Sequence, residues 1–192
     1  EAKYEITVKA NSATATYDGK EHEAVGVETY EFTVEGNSYT VSGLSTEDPK
    51  QKDAGSYTNN ITGTPVVTDK EGNVVTSEFE VKTENGSLEI GKAAVTLKSA
   101  TLSKKYDGNA LVNGDTALEV ESGFAEGEGA TYNFTGSQTV VGSSANAFSY
   151  ELNSNTNIDN YAISKQEGTL TVTNREAKYE ITVKANSATA TY

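Results

Sequence analysis

The chain has 192 residues with no Cys, no Met and one His, and its formal net charge is −13. These figures exclude a disulfide framework, a thiolate metal site, a cysteine nucleophile and a multi-histidine metal cluster, and the acidic balance repels nucleic acid and anionic bilayers, which need basic patches. No apolar stretch approaches the ~20 residues that span a membrane and no basic-then-apolar signal opens the chain, so the sequence reads as a soluble fragment or processed chain without membrane insertion.

The first predicted strand, Tyr4-Glu5-Ile6-Thr7-Val8, alternates apolar and polar residues, the pattern of a strand with one wet face. Tyr30-Glu31-Phe32-Thr33-Val34 and Phe79-Glu80-Val81-Lys82 repeat that alternation, and all three are rich in the aromatic and β-branched residues that suit a pleated surface. Asp18-Gly19, Glu35-Gly36-Asn37, Glu71-Gly72-Asn73, Asn85-Gly86 and Asp107-Gly108 supply residues that tolerate positive φ, and so read as turns. No segment carries a helical period. Short strands at close spacing predict an all-β chain.

Glu1 to Tyr17 and Glu176 to Tyr192 carry the same letters throughout, EAKYEITVKANSATATY, so the chain closes on the opening of a further repeat. A weaker repeat lies inside the first. Ile6-Thr7-Val8-Lys9 and Tyr17-Asp18-Gly19 fall on Val95-Thr96-Leu97-Lys98 and Tyr106-Asp107-Gly108, and Phe79 with Gly86-Ser87-Leu88-Glu89-Ile90 falls on Tyr161 with Gly168-Thr169-Leu170-Thr171-Val172. The expected organisation is a β-sandwich (Ig-like) module over 1–92, a second over 93–175, and the first strand segment of the next repeat over 176–192. The junctions Leu88 to Leu97 and Leu170 to Tyr179 lack Gly/Ser or Pro runs, and such short linkers restrict the angle between modules, giving an elongated rod.

The two Tyr-Asp-Gly segments, each after an alternating strand, resemble the YDG/MBG-type tandem β-domains of large bacterial surface adhesins. The likeness extends to the late stretches Gly72-Asn73-Val74-Val75-Thr76-Ser77-Glu78-Phe79 with Gly86 to Ile90, and Asn157-Ile158-Asp159-Asn160-Tyr161 with Gly168 to Val172, and to Ala54-Gly55-Ser56-Tyr57 with its counterpart Phe148-Ser149-Tyr150. The resemblance implies a parent secreted and anchored to a bacterial cell surface or wall, in which these modules form the stalk.

Candidate chemistry is sparse. His22, in Lys20-Glu21-His22-Glu23, has no Ser, Cys or second His near it and reads as a solvated loop residue. Glu47-Asp48 with Asp53, Glu119 with Glu121, and Glu126 with Glu128 supply hard oxygens of the kind calcium takes, without a calcium-loop spacing; the reading is an acidic surface with no cofactor. Lys9 and Lys98 are weighed as donors of a Lys–Asn isopeptide staple, but their alternation with apolar neighbours turns them outward. Tyr30, Tyr39, Tyr57 and Tyr132 are candidate sugar platforms and, at strand positions, more simply half-buried sheet residues. Asn60, Asn85 and Asn133 head glycosylation acceptor triplets that a bacterial origin leaves idle. No catalytic, cofactor-binding or metal residue is assigned.

The adopted reading is a stalk or spacer repeat, not an enzyme and monomeric, whose partners are the neighbouring repeats of its own chain. The alternative is a weak host-glycan or glycoprotein binder acting through tandem avidity. Segment 176–192 is expected to be paired, because a lone strand of Val, Ile and Tyr is seldom ordered. It either closes an edge of module two or takes the place of Glu1 to Tyr17 in a neighbouring molecule, and the first route avoids the cost of association.

Overall fold

The computed structural model describes residues 3–115, 117–178 and 180–192. It is all-β: among the described residues the only helical turns are two 3-10 turns, and no helix is long and apolar enough to cross a membrane. The Cα positions cluster into two compact units, Glu1–Thr96 with Ser122–Thr131 and Leu152–Ser164, and Leu97–Glu121 with Tyr132–Glu151 and Lys165–Tyr192. The first unit thus draws on residues from both sequence-defined modules.

The leading ten strands are β1 (Tyr4–Lys9), β2 (Ala13–Thr16), β3 (His22–Glu23), β4 (Glu31–Val34), β5 (Asn37–Thr46), β6 (Lys50–Gln51), β7 (Gly55–Asn59), β8 (Ile61–Asp69), β9 (Phe79–Glu84) and β10 (Gly86–Gly91). The three strands expected from alternation are present, as β1, β4 and β9. Glu35 and Gly36, both at positive φ, close the β4–β5 hairpin with Val34 opposite Asn37, as a two-residue loop requires. β8 completes that sheet in the order β4-β5-β8.

The opening segment does not join its neighbour in sequence. β1 runs parallel to β9, with Ile6 opposite Val81, and β2 runs parallel to β10, with Ala13 opposite Leu88; β7 lies antiparallel on the other side of β10. β1/β9 and β2/β10 belong to different sheets, so both strands of the pair change sheet together, at Ala10–Ser12 and at Asn85. The crossing is tied by Ala10 N–H donating to Glu84 O (2.9 Å) and Ser87 N–H to Ser12 Oγ (3.0 Å). Gly86, expected as a turn glycine, is instead at ordinary φ inside β10, where any Cβ would fall on the Asn11 and Ala10 carbonyls. It is glycine because two backbones meet there.

Alternation sends Ile6 and Val8 inward from β1, where they join Val41, Val67 and Phe79 in the first unit's core. Half-buried Tyr30, Phe32, Val34 and Tyr39 pack against this cluster. Leu88 and Ile90 are buried from β10 in the same alternating way.

The remaining strands are β11 (Ala93–Lys98), β12 (Leu102–Lys105), β13 (Leu111–Val112), β14 (Val120–Ser122), β15 (Ala130–Phe134), β16 (Ser137–Gln138), β17 (Gly142–Ala145), β18 (Phe148–Leu152), β19 (Tyr161–Gln166) and β20 (Thr169–Thr173). Only Lys92 separates β10 from β11. In the second unit the crossing recurs with other letters. β12 runs parallel to β20, Ser99 N–H donates to Gln166 O (3.1 Å), and a Cβ on Gly168 would fall on the Ala100 carbonyl.

Segment 180–192 carries no strand, and Ile181 and Val183 are 84% and 89% exposed. The expected pairing within the chain is therefore corrected. Its physical reason is that β20 lies between β12 and β17, so the last strand itself has no free edge.

Candidate functional site

An interlocked polar group of the first unit forms around the first Tyr-Asp-Gly segment. β2 delivers Tyr17 to its end, where the backbone N–H donates to Gly91 O (2.8 Å) and the side chain is buried at 4% exposure. The Tyr17 hydroxyl donates to Glu128 Oε1 (2.5 Å), and the Tyr161 hydroxyl donates to Glu128 Oε2 (2.8 Å), so one half-buried carboxylate is held by two phenols. Tyr161 also accepts from Ala125 N–H (3.1 Å), and its ring meets Tyr17 and Phe124 edge-on at centroid distances of 5.3 and 5.2 Å, the arrangement aromatic quadrupoles favour. Burial first, and then the Glu128 carboxylate, pushes the Tyr17 phenol well above the ordinary tyrosine value; burial foremost also raises Tyr161.

The flanking loops are fixed by short-range polar contacts. Asp18 Oδ1 accepts from Lys20 N–H and lies 2.9 Å from His22 Nε2, and the Lys20 bond foremost holds its carboxyl below the usual range. Asn160, 1% exposed, accepts from Ala54 N–H (2.9 Å) and donates to Asp53 Oδ1 (2.8 Å). It ends the 3-10 turn Ile158–Asn160, which Asn157 caps through Asp159 N–H.

The second Tyr-Asp-Gly segment repeats the backbone and not the burial. Tyr106 N–H donates to Thr173 O (2.9 Å) and Asp107 Oδ1 accepts from Asn109 N–H (2.9 Å), yet Tyr106 is only half-buried and lines an open cleft of about 470 Å³ with Val141, Asn174 and Ala177.

A second pair of residues went unremarked in the sequence. Asn59 and Asn146 are both 0% exposed. Asn59 accepts from Asp48 N–H and donates to Asn11 O and Gly26 O, binding the first unit's crossing to its loops. Asn146 donates to Ala100 O and Asn113 Oδ1 in the second unit. Each directly follows or ends a strand, and the equivalence of Asn11 and Ala100 in the internal repeat is the signal that pairs them.

The structure disperses most of the sequence candidates. His22 sits half-buried in a two-residue strand opposite Gln51. Asp48 accepts from Gly26 N–H (2.8 Å) and Thr46 Oγ1 (2.6 Å), the former bond foremost lowering its pKa; Glu47 accepts from Asn60 Nδ2, and Asp53 binds Asn160. Glu119 pairs with Lys98 (3.2 Å), while Glu126 is exposed. Among the described residues no three His, Asp or Glu side chains gather as a metal ion requires. Lys9 pairs with Glu84 at the surface (2.8 Å). Tyr57 donates to Asp53 O (3.0 Å), and Tyr132 packs edge-on against Phe148 in the second unit, where burial raises its pKa. Asn85 Nδ2 donates to Asn60 Oδ1, and Asn133 is exposed on β15.

Around Tyr17 the carboxylate and phenol groups satisfy one another, whereas the buried Asn146 Oδ1 has no hydrogen-bond partner among the described residues. No protein-family model, curated protein or solved structure matches the chain.

Proposed function

We propose that the chain is a structural stalk or spacer repeat of a bacterial cell-surface adhesin, built of tandem Ig-like β-sandwich modules of the YDG/MBG kind. The observation that carries the reading is the letter-for-letter return of Glu1 to Tyr17 at Glu176 to Tyr192, since a chain that reiterates its own unit adds length rather than new chemistry. Two features support it. Tyr17, the residue before the Asp18-Gly19 turn, is used inside the first unit to hold Glu128 and Tyr161. Tyr30 and Tyr39 spend their rings on the core.

The array belongs outside the cell, projecting a binding head and touching neighbouring repeats of its own chain. Small-angle scattering tests the extended form. Two modules in line, with strands of about 8–10 residues at ~3.3 Å each, give a maximum dimension of roughly 60–80 Å. A compact particle, or binding above background on a glycan array, overturns the spacer.

A further inference from the structure

The two modules are variations on one plan, and at the first Tyr-Asp-Gly segment that plan is complete. Tyr17 sets its ring edge-on against Tyr161 and its hydroxyl on Glu128 Oε1, while a second phenol, Tyr161, holds Glu128 Oε2. Beside them Ala54 N–H donates to Asn160 Oδ1, and Asn160 Nδ2 donates to Asp53 Oδ1. The socket that takes Tyr17 thus has three parts: a carboxylate on a loop, an aromatic residue opening a strand directly after a 3-10 turn, and the last residue of that turn.

The first module carries the same three parts at the equivalent places. Phe79 opens β9 directly after the 3-10 turn Thr76–Glu78, as Tyr161 opens β19 after Ile158–Asn160, so the spacing of Phe79 and Tyr161 sets Glu78 on Asn160. Glu35 stands in the loop that leads into β5, the partner of β8, as Glu128 stands in the loop that leads into β15, the partner of β18. Glu35 Oε2 already accepts from a phenol, Tyr4 (2.9 Å), whose ring lies 5.8 Å from that of Phe79. On the second module the counterpart of Tyr17 is Tyr106, and at the spacing that separates Asn59 from Asn146, Val140 and Val141 take the places of Asp53 and Ala54. Two letter changes answer one another. Asp53 faces an amide that donates to it, whereas an Asp at 140 would face the Glu78 carboxylate, and like charges in contact repel; the residue there is Val.

We infer that Tyr106, Val140 and Val141 form the contact face for the first module of the following repeat, which receives them at its Glu35, Glu78 and Phe79. The sequence sets that module next in the chain, since Glu176 to Tyr192 carry the letters of its opening strands. The Tyr106 hydroxyl donates to Glu35 Oε1, leaving Oε2 to Tyr4 as Glu128 Oε2 is left to Tyr161, and the Tyr106 ring meets Phe79. Val141 N–H donates to the Glu78 carboxylate as Ala54 N–H donates to Asn160 Oδ1. Both bonds end on a carboxylate, the stronger kind of acceptor. What assigns the occupant is the filled counterpart at Tyr17, not the openness of the cleft beside Tyr106. The contact rests on the tandem array proposed above and is independent of that array's role as a spacer.

A chain in which residues 1–175 precede residues 1–192 reproduces the native Arg175–Glu176 join and sets a complete first module after the second. In it, Tyr106→Phe in the first repeat lowers the melting temperature by roughly 4–8 °C. Glu35→Gln in the second repeat lowers it as well, and the two together lower it by less than the sum of their separate effects. Tyr106→Phe leaves the melting of the 192-residue chain unaltered. Val140→Asp in the first repeat lowers the melting temperature of the two-repeat chain and not that of the 192-residue chain, and Glu78→Asn in the second repeat, which recreates the Asp53–Asn160 pair, restores it. Additive effects of Tyr106→Phe and Glu35→Gln, equal effects of Val140→Asp in both chains, or no rescue by Glu78→Asn overturn the contact. An extended two-repeat particle with additive substitutions removes the contact and keeps the spacer; coupled substitutions in a chain that binds glycans keep the contact and remove the spacer.

Discussion

Tyr17→Phe removes one oxygen and keeps the ring, so it isolates the hydroxyl's bond to Glu128. A hydrogen bond to a charged group contributes about 1.5–3 kcal/mol. Glu128 is half-buried and retains the Tyr161 donor at 2.8 Å, so water takes up part of the loss and the expected cost is near the lower end, about 1.5 kcal/mol. In a unit somewhat above a hundred residues this lowers the melting temperature by roughly 4–7 °C. Tyr17→Ala also empties the space against Tyr161 and costs about 3–5 kcal/mol. The substitution has a pH signature. The folded-state pKa of Tyr17 lies above its unfolded value near 10.0, so its contribution is complete below that value and is lost as pH rises toward the folded pKa. Wild-type stability should therefore fall in the alkaline range, and Tyr17→Phe should flatten that fall, leaving the shares due to the other raised phenols, Tyr161, Tyr132 and Tyr4. Thermal melts by far-ultraviolet circular dichroism, together with tyrosinate difference absorbance, read both effects. A Tyr17→Phe chain that melts with wild type at neutral pH and keeps its full alkaline slope would refute the carboxylate clasp, as would additive effects of Tyr17→Phe and Glu128→Gln in a double-mutant cycle.

Three further outcomes follow from the same geometry. Gly86→Ala should destabilise the first unit by about 2–3 kcal/mol and Gly168→Ala the second similarly, because each new methyl meets a backbone carbonyl that cannot step aside; denaturant midpoints equal to wild type would show that the crossings have room. Gly19→Val should cost more than Gly108→Val in melting experiments. Both glycines hold positive φ, worth about 1 kcal/mol or more against a β-branched residue, while a Cβ at Gly19 also lies 3.1 Å from Ala125 Cβ and one at Gly108 meets nothing. Asn59→Ala should cost about 2–3 kcal/mol, since it strips partners from Asp48 N–H and the Asn11 and Gly26 carbonyls at a fully buried point, and faster hydrogen exchange at Asp48 checks the mechanism.

The strands β1, β4 and β9 were legible because one face of each meets the core and the other meets water, and that asymmetry is written directly as alternation in Ile6-Thr7-Val8 and Phe79-Glu80-Val81. The hairpin at Glu35-Gly36 was legible for an equally local reason: two residues at positive φ need glycine or a short polar side chain. Asn85-Gly86 shows the limit of such reasoning. The dipeptide carries the letters of a turn, but Gly86 is at ordinary φ and its missing side chain makes way for a carbonyl some 75 positions earlier in the chain. The buried asparagines Asn59 and Asn146 were invisible for the same reason, being polar letters whose partners are carbonyls far away in sequence.

The all-β character, the positions of the amphipathic strands and the existence of repeats are legible in the letters, since each depends on neighbours a few residues away or on letters compared with letters. The parallel pairing of the opening segment with β9 and β10, and the burial of Tyr17 on Glu128 while Tyr106 borders a cleft, belong to the tertiary structure alone. Parallel pairing leaves no turn signature to read, and burial is set by partners far away in sequence.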